Sequence, residues 1–180
     1  NNPISKMYAI EALKLLIGSI DKAVFHGDSE KARANMLKGS MFAGIAFANS
    51  PVAAVHALAY PIGGIFHIPH GLSNALILPY VLRFNQLDQK AAHAYADLCD
   101  YIWPLKDPKK GIQYKSSFFI EKLTELSERL GLEARLRDVG IPKEACEKMA
   151  KESMKQTRLL VNNPRLITEK DSLDIYLAAW

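Results

Sequence analysis

Apolar residues recur every three or four positions along most of this chain, and no stretch shows a sustained alternation of apolar and polar residues. A spacing of three to four is the period of an α-helix, whereas a strand with one buried face has a period of two. The pattern therefore predicts an all-α fold, a helical bundle. With 180 residues, of which 49% are hydrophobic, the chain can bury one core, and residues 1–180 are expected to form a single domain.

Capping residues and prolines refine this prediction by indicating where helices begin and end. Pro61 disfavours helical geometry at Tyr60 and is expected to end a short helix there. Small residues dominate the second helix, which favours close packing and a central place in the bundle. The predicted helices cover residues 6–25, 30–48, 51–60, 70–82 with a bend at Pro79, 89–102 after a cap at Asp88, 116–130 after Ser116 or Ser117, 142–158 and 168–180, with loops at 61–69 and 104–115.

Composition excludes several classes of function. The net charge is +4, but basic and acidic residues are interspersed, so no nucleic-acid partner is expected. Cys99 and Cys146 have neither disulfide-type nor metal-type spacing, which favours a reducing, cytoplasmic compartment. No apolar run is long enough to span a membrane. The first residues lack both a leader pattern and an initiating methionine, so the chain is expected to be a piece of a longer protein.

The polar chemistry is concentrated in residues 56–74. This stretch holds His56, His67 and His70, three of the five histidines, among glycines and prolines. A catalytic metal site typically takes about three protein ligands and leaves one position open, and histidines on adjoining rigid helices can converge on one ion. The alternative is that His56 is an ordinary helical histidine and that residues 67–70 form a surface turn. Composition alone leaves both interpretations open.

The residues around these histidines form a long motif. It consists of His56-Ala-Leu-Ala-Tyr60-Pro-Ile-Gly-Gly, Pro69-His70-Gly71-Leu-Ser-Asn74-Ala, Leu78-Pro79 and Arg83-Phe84-Asn85. This motif resembles the signature region of the iron-containing (group III) alcohol dehydrogenases. Weaker similarity covers Asn49, Asn163-Pro164-Arg165 and residues 176–180.

In that family, an N-terminal Rossmann-like domain binds NAD or NADP, and a C-terminal helical domain of the dehydroquinate synthase-like fold supplies the metal site. The chain resembles nearly the whole of the second domain and none of the first. The resemblance implies that His56 and His70 ligate a divalent ion, Fe²⁺ or alternatively Zn²⁺. The family completes the site with an Asp and a His four residues apart on a preceding helix. No Asp-x-x-x-His precedes His56, so two of the four family ligands have no counterpart here.

One position departs from the family pattern in an informative way. Many members have a histidine four residues after the first ligand, where this chain has Tyr60. A tyrosine hydroxyl forms hydrogen bonds but is a poorer proton shuttle than imidazole at neutral pH. The catalytic candidates are therefore Tyr60 and His67, with water as a further proton carrier and aromatic packing as the alternative role for Tyr60. The apolar residues Phe47, Ile65 and Phe66 are expected to line the substrate pocket.

The resemblance implies that the whole protein is an NAD(P)-dependent alcohol dehydrogenase that interconverts alcohols and aldehydes or ketones, with a small-molecule substrate. It also implies a homodimer or larger homo-oligomer, and the chain alone is expected to be inactive. One alternative is a zinc-dependent relative such as a glycerol dehydrogenase or a dehydroquinate synthase-like enzyme. The other is a noncatalytic helical interaction domain.

Overall fold

The computed structural model describes residues 2–180, and every regular element in that range is helical, which confirms the predicted all-α class. One turn of 3-10 helix, Leu136–Val139, lies between the seventh and eighth α-helices. The α-helices are α1 (Pro3–Ile17), α2 (Ile20–Phe25), α3 (Glu30–Asn49), α4 (Ala54–Phe66), α5 (His70–Asn85), α6 (Gln89–Ile102), α7 (Ile112–Arg129), α8 (Ala145–Ser153), α9 (Thr157–Leu160) and α10 (Glu169–Ala179).

Helix α4 is the centre of the main core. Its Ala57, Leu58 and Ile62 have no solvent exposure, and burial of a side chain such as Leu58 stabilises the fold by about 1.5–3 kcal/mol. Helices α5 and α8 pack against α4, and α10 packs against both α5 and α8. These neighbours contribute the fully buried residues Ile77, Val81, Met149 and Tyr176. The histidine-bearing helix is therefore held on several sides by other elements.

Helices α1 and α3 form a second packed unit beside this core. At their closest approach, a Cβ atom on Gly39 would lie 2.8 Å from Cγ of Leu16, so only glycine fits. The close packing predicted from small residues is present, but the central place predicted for α3 is wrong. Only the small residues Ala32, Gly39 and Ala46 of α3 are buried, at a spacing of seven along one face, while Leu37 and Met41 are 76% and 54% exposed.

Three predicted helix starts or ends at prolines are wrong. Pro61 does not end α4 but lies buried inside it, and the helix continues to Phe66 because it buries Ile62 in the core. Pro51 does not open this helix, which begins at Ala54. Pro142 does not open a helix that reaches residue 158; instead α8 and α9 are separate. Proline restricts the local backbone, but tertiary packing decides whether a helix continues through it.

Other boundaries follow from capping. The side chain of Asp88 accepts a hydrogen bond from the Ala91 amide (3.0 Å), as predicted. Thr168 and Asp171 form the predicted capping box of α10. Helix α7 starts earlier than predicted, at Ile112 after Gly111, and Ser116 is buried within it. The long first helix is divided at Gly18 and Ser19 into α1 and α2.

No single helix in residues 2–180 is long and apolar enough to cross a membrane. Helices α3 and α4, which meet at a bend of 110°, have the required length and apolar composition only when the two are taken together.

Candidate metal site

Helix α4 carries two of the predicted site residues on one face. His56 and Tyr60 are four residues apart, so their side chains lie one above the other. His56 is half-buried, and Tyr60 is 46% exposed at the protein surface. The buried residues Ala57, Leu58 and Ile62 fix the opposite face of the helix in the core. The core contacts therefore determine where these two polar side chains point.

The connection from α4 to α5 is only three residues long. His67 adopts a left-handed conformation (φ 57°) and its amide donates to the Gly63 carbonyl (3.0 Å), which ends α4. The buried Ser73 hydroxyl lies 3.1 Å from the carbonyl oxygens of both Ile68 and Pro69 and donates to them. This tight turn reverses the chain, so the first residue of α5, His70, lies beside α4.

The turn brings His56 and His70 together. Their ring centroids are 5.3 Å apart and their planes are inclined by 52°. An imidazole nitrogen binds a transition metal at about 2.0–2.1 Å, which places the ring centroid roughly 3 Å from the ion. Two rings at the observed separation are therefore within reach of one ion. The ring of Tyr60 lies 6.4 Å from that of His70, so the tyrosine borders the pair.

Asn74, one turn further along α5, holds the His70 ring. Its Nδ2 lies 3.1 Å from Nε2 of His70 and donates to the His70 carbonyl oxygen (2.9 Å). Its Oδ1 is buried and has no hydrogen-bond partner among residues 2–180. A buried acceptor without a donor is costly, and this one belongs to the side chain that contacts the His70 ring. Two imidazole nitrogens are donors that suit a divalent ion such as Fe²⁺ or Zn²⁺.

The surroundings of His56 favour its neutral form. Burial lowers the pKa of the imidazole below the ordinary value of 6.5, and the nearby charge of His70 lowers the pKa further. A metal ligand must offer an unprotonated nitrogen. The structure thus supplies His56 in the protonation state that metal binding requires.

His67 is not part of this pair. It is exposed in the turn between α4 and α5. In the described part of the chain, no group of three or more His, Cys, Asp or Glu side chains is arranged to hold an ion. The two-histidine pair therefore lacks a third protein ligand of these types within residues 2–180.

The predicted pocket residues are found in different places. Phe47 lies on α3 and lines an apolar groove of about 690 Å³ with Ile10, Leu13 and Pro51. Ile65 and Phe66 instead pack against the core around α4. Neither His56 nor His70 lines the groove.

Sequence reasoning gave no role to two residues that contact this region. Asn74 follows His70 by one helical turn, a spacing that could have indicated the contact. Tyr176 of α10 donates a hydrogen bond from its hydroxyl to the Leu58 carbonyl oxygen of α4 (2.6 Å). No local signal predicts that contact, because it joins residues 118 positions apart.

Comparison with known proteins places this arrangement in a family. The family model described as "Fe-containing alcohol dehydrogenase family, C-terminal" matches residues 1–180. Long-chain-alcohol dehydrogenase 1 of Geobacillus thermodenitrificans is 38% identical over 99% of this chain and 45% of its own length. The 1,3-propanediol dehydrogenase of Citrobacter freundii is 32% identical over the same shares. The chain thus spans about half the length of these relatives.

Solved structures of similar proteins lead to the same family assignment. A crystal structure of 1,3-propanediol oxidoreductase superposes with a TM-score of 0.93 at 30% identity, covering 99% of this chain and 46% of the other. Sulfoacetaldehyde reductase from Bifidobacterium kashiwanohense, solved in complex with NAD⁺, superposes with a TM-score of 0.81 at 28% identity, covering 99% of this chain and 44% of the other. The chain therefore belongs to the iron-containing alcohol dehydrogenase family and corresponds to its C-terminal region.

Proposed function

We propose that residues 1–180 form a single helical metal- and substrate-binding domain of an NAD(P)-dependent alcohol dehydrogenase. The observation that supports this most directly is the 5.3 Å separation of the His56 and His70 rings. In this proposal the two histidines are ligands of a divalent ion, Fe²⁺ by family membership or alternatively Zn²⁺. In this proposal the whole protein interconverts alcohols and aldehydes or ketones; the names of its relatives indicate a long-chain alcohol for one of them and 1,3-propanediol for another.

When bound, the ion supplies a Lewis acid that favours the ionised form of an alcohol oxygen. The chain's own residues supply binding and orientation. His56, whose neutral form is favoured by burial, and His70 each present an imidazole nitrogen, and Asn74 holds the His70 ring by its amide contact (3.1 Å). Tyr60 borders the pair and can donate or accept a hydrogen bond at its exposed hydroxyl. His67, exposed in the next turn, is the second candidate for moving a proton to solvent.

The nicotinamide cofactor, NAD or NADP, belongs in this proposal to the half of the relatives that this chain does not span. Its support is the NAD⁺ complex of the similar sulfoacetaldehyde reductase.

The protein is also proposed to form homodimers or larger homo-oligomers. Large apolar side chains at the surface support this, among them Ile4 (63% exposed), Leu37 (76%) and Met41 (54%). Light scattering of the purified protein tests the oligomeric state, and a strictly monomeric species contradicts it.

A cytoplasmic location is proposed from the cysteines. Cys99 and Cys146 are both buried as free thiols, and burial raises the pKa of each, which keeps them protonated and unreactive. Cell fractionation tests the location, and recovery of the protein from an oxidising compartment contradicts it.

The metal role is tested by titrating Zn²⁺ into the 180-residue chain and into matched variants. Calorimetry is expected to show weak binding that is lost in His56→Ala and in His70→Ala. His93→Ala is the control, because His93 is exposed on α6 and contacts its own helix at the Gln89 carbonyl oxygen (2.7 Å). Binding that survives both site substitutions, or no binding at all, contradicts the proposal and favours a noncatalytic helical domain.

A further inference from the structure

We propose that Tyr176 is a positioning residue for the histidine pair: its hydroxyl holds the proline-containing turn of α4 in the orientation that places His56 beside His70. This inference rests on the proposed metal role of the pair. It concerns a residue on α10, far in sequence from the histidine motif.

The contact is short and completely buried. Tyr176 has no solvent exposure, and its hydroxyl donates to the Leu58 carbonyl oxygen at 2.6 Å. Leu58 lies midway between His56 and Tyr60 on α4. Burial raises the pKa of the Tyr176 phenol well above its usual range, so the group stays protonated and remains a donor. The hydrogen bond therefore acts on the turn that carries the site residues.

This turn of α4 is where the helix is intrinsically weakest. Pro61 lies inside the helix and has no amide hydrogen, so it cannot donate to the Ala57 carbonyl oxygen one turn earlier. Its ring also crowds that carbonyl, and interior prolines commonly kink helices. Tyr176 donates to the very next carbonyl, that of Leu58. An external donor thus restrains the turn that the proline destabilises.

The tyrosine is itself anchored. Ser172, on the same helix α10, lies 2.8 Å (Oγ to Oγ) from Ser153 of α8, and Ser153 also donates to the Ala150 carbonyl oxygen at 2.8 Å. Both serines are fully buried. Helix α8 packs against both α4 and α10, and the Tyr176 hydroxyl joins α10 to α4. The position of α4 is therefore set by its contacts with α8 and α10 as well as by the short turn at His67.

A two-ligand site is sensitive to such positioning. Both rings must reach one ion, and metal constellations work when held within about 0.5 Å of their geometry. Tyr176→Phe leaves the ring in the core but removes this second donor to the Leu58 carbonyl oxygen, which inside α4 keeps only the helical hydrogen bond from the Ile62 amide. The expected consequence is a small rotation or shift of α4 that separates His56 from His70.

The test uses Cu²⁺ as the probe, because copper binds nitrogen sites more strongly than the other divalent ions. Electron paramagnetic resonance of the 180-residue chain reports how many imidazoles coordinate the ion. The wild-type chain is expected to show two, and His56→Ala one. Tyr176→Phe is expected to weaken affinity about tenfold and to shift the spectrum toward one imidazole. Trp180→Phe is the control, because it loses a half-buried donor to the Ile141 carbonyl oxygen (2.8 Å), which lies outside α4.

Hydrogen exchange of the α4 amides gives a second readout that does not need metal. Faster exchange across Ala54–Phe66 in Tyr176→Phe than in Trp180→Phe supports the inference. Equal effects of the two variants on both copper binding and exchange overturn it. If the wild-type chain never shows two imidazoles, the proposed metal role fails, and the exchange comparison alone decides whether Tyr176 holds α4.

Discussion

Two imidazole rings placed as close as those of His56 and His70 repel each other when both are protonated. The centroid distance of 5.3 Å brings them within range of strong Coulombic interaction, and His56 is also partly removed from water. Burial and the charge of His70 both lower the pKa of His56. The surroundings of His56 therefore favour its neutral form even before an ion is bound.

This electrostatic arrangement predicts a pH dependence of stability. Because the pKa of His56 is lowered in the folded state, the unfolded chain binds more protons than the folded chain below the ordinary pKa of 6.5. The free energy of unfolding is therefore expected to fall as the pH falls through 6.5 and toward the lowered value. Urea unfolding of the metal-free chain at a series of pH values measures this slope.

The comparison variant is His56→Gln, which keeps a polar side chain but does not titrate. Its stability is expected to change less over the same pH interval. Identical slopes in the two proteins would mean that His56 is not held in a neutral, desolvated environment.

The backbone of His67 shows what residue patterns cannot reveal. The sequence predicted a turn-rich loop over residues 61–69, yet the reversal is accomplished within three residues by a non-glycine residue at φ 57°. Such a conformation is uncommon outside glycine, although histidine, asparagine and aspartate adopt it more often than other residues. No neighbouring residue type indicates it, because the geometry is imposed by the packing of α5 against α4.

At the scale of helices, the contact between α1 and α3 depends on a missing side chain. In Gly39→Ala the new Cβ would lie 2.8 Å from Leu16 Cγ and 3.3 Å from the Ala12 carbonyl oxygen. Overpacking of this kind is expected to lower the free energy of unfolding by about 1–3 kcal/mol. Thermal or urea unfolding measures the change.

Gly44→Ala is the matched control on the same helix, because nothing lies within 4 Å of a Cβ at that position. It is expected to stabilise the chain by about 0.5–1 kcal/mol through helix propensity. Equal effects at both positions would contradict the close approach of the two helices.

A pair of asparagines links α5 to the loop before α10. Asn85, 4% exposed, and Asn163 exchange two amide hydrogen bonds of 3.0 and 2.8 Å, and Asn163 also donates to the Arg165 carbonyl oxygen (2.6 Å). In Asn163→Ala the buried amide of Asn85 loses its partner. A loss of about 1–3 kcal/mol in unfolding free energy is expected.

The control for this substitution is the neighbouring Asn162→Ala. Asn162 is exposed, although it donates to the Val52 and Arg158 carbonyl oxygens (both 3.1 Å). Chemical denaturation should show the smaller effect for Asn162→Ala. A reversed order would show that the asparagine pair does not stabilise the fold.

The helices themselves were largely predictable, and their ends only where local chemistry controls them. The caps at Asp88 and Thr168 were predicted because each side chain bonds an amide three residues away. The predicted helix starts at Pro51 and Pro142 and the predicted end at Pro61 are wrong. At Pro61, burial of Ile62 in the core outweighs the local preference of proline. Contacts such as Tyr176 with Leu58 depend on the assembled core and have no sequence signal.

At the scale of the whole molecule, the proposed metal site has only two protein ligands, and the chain spans about half the length of its relatives. Long-chain-alcohol dehydrogenase 1 of Geobacillus thermodenitrificans is matched over 45% of its length. In residues 2–180, no third His, Cys, Asp or Glu joins His56 and His70. The family resemblance assigns the remaining two ligands to a preceding helix.

The 180-residue chain is therefore expected to bind Zn²⁺ or Fe²⁺ weakly and to show no alcohol dehydrogenase activity. Spectrophotometric assay of NADH or NADPH formation with small alcohols tests activity, and calorimetry tests affinity. Tight stoichiometric binding by this chain would contradict a two-ligand site. It would require a third donor from its own residues.

The most direct test of the central claim is a crystal structure of this chain grown with Zn²⁺ and measured at the zinc absorption edge. If the two histidines are metal ligands, we expect one anomalous peak between the His56 and His70 rings, within coordination distance of a nitrogen of each. No peak there, with the two rings contacting only solvent or packed carbon, would contradict it.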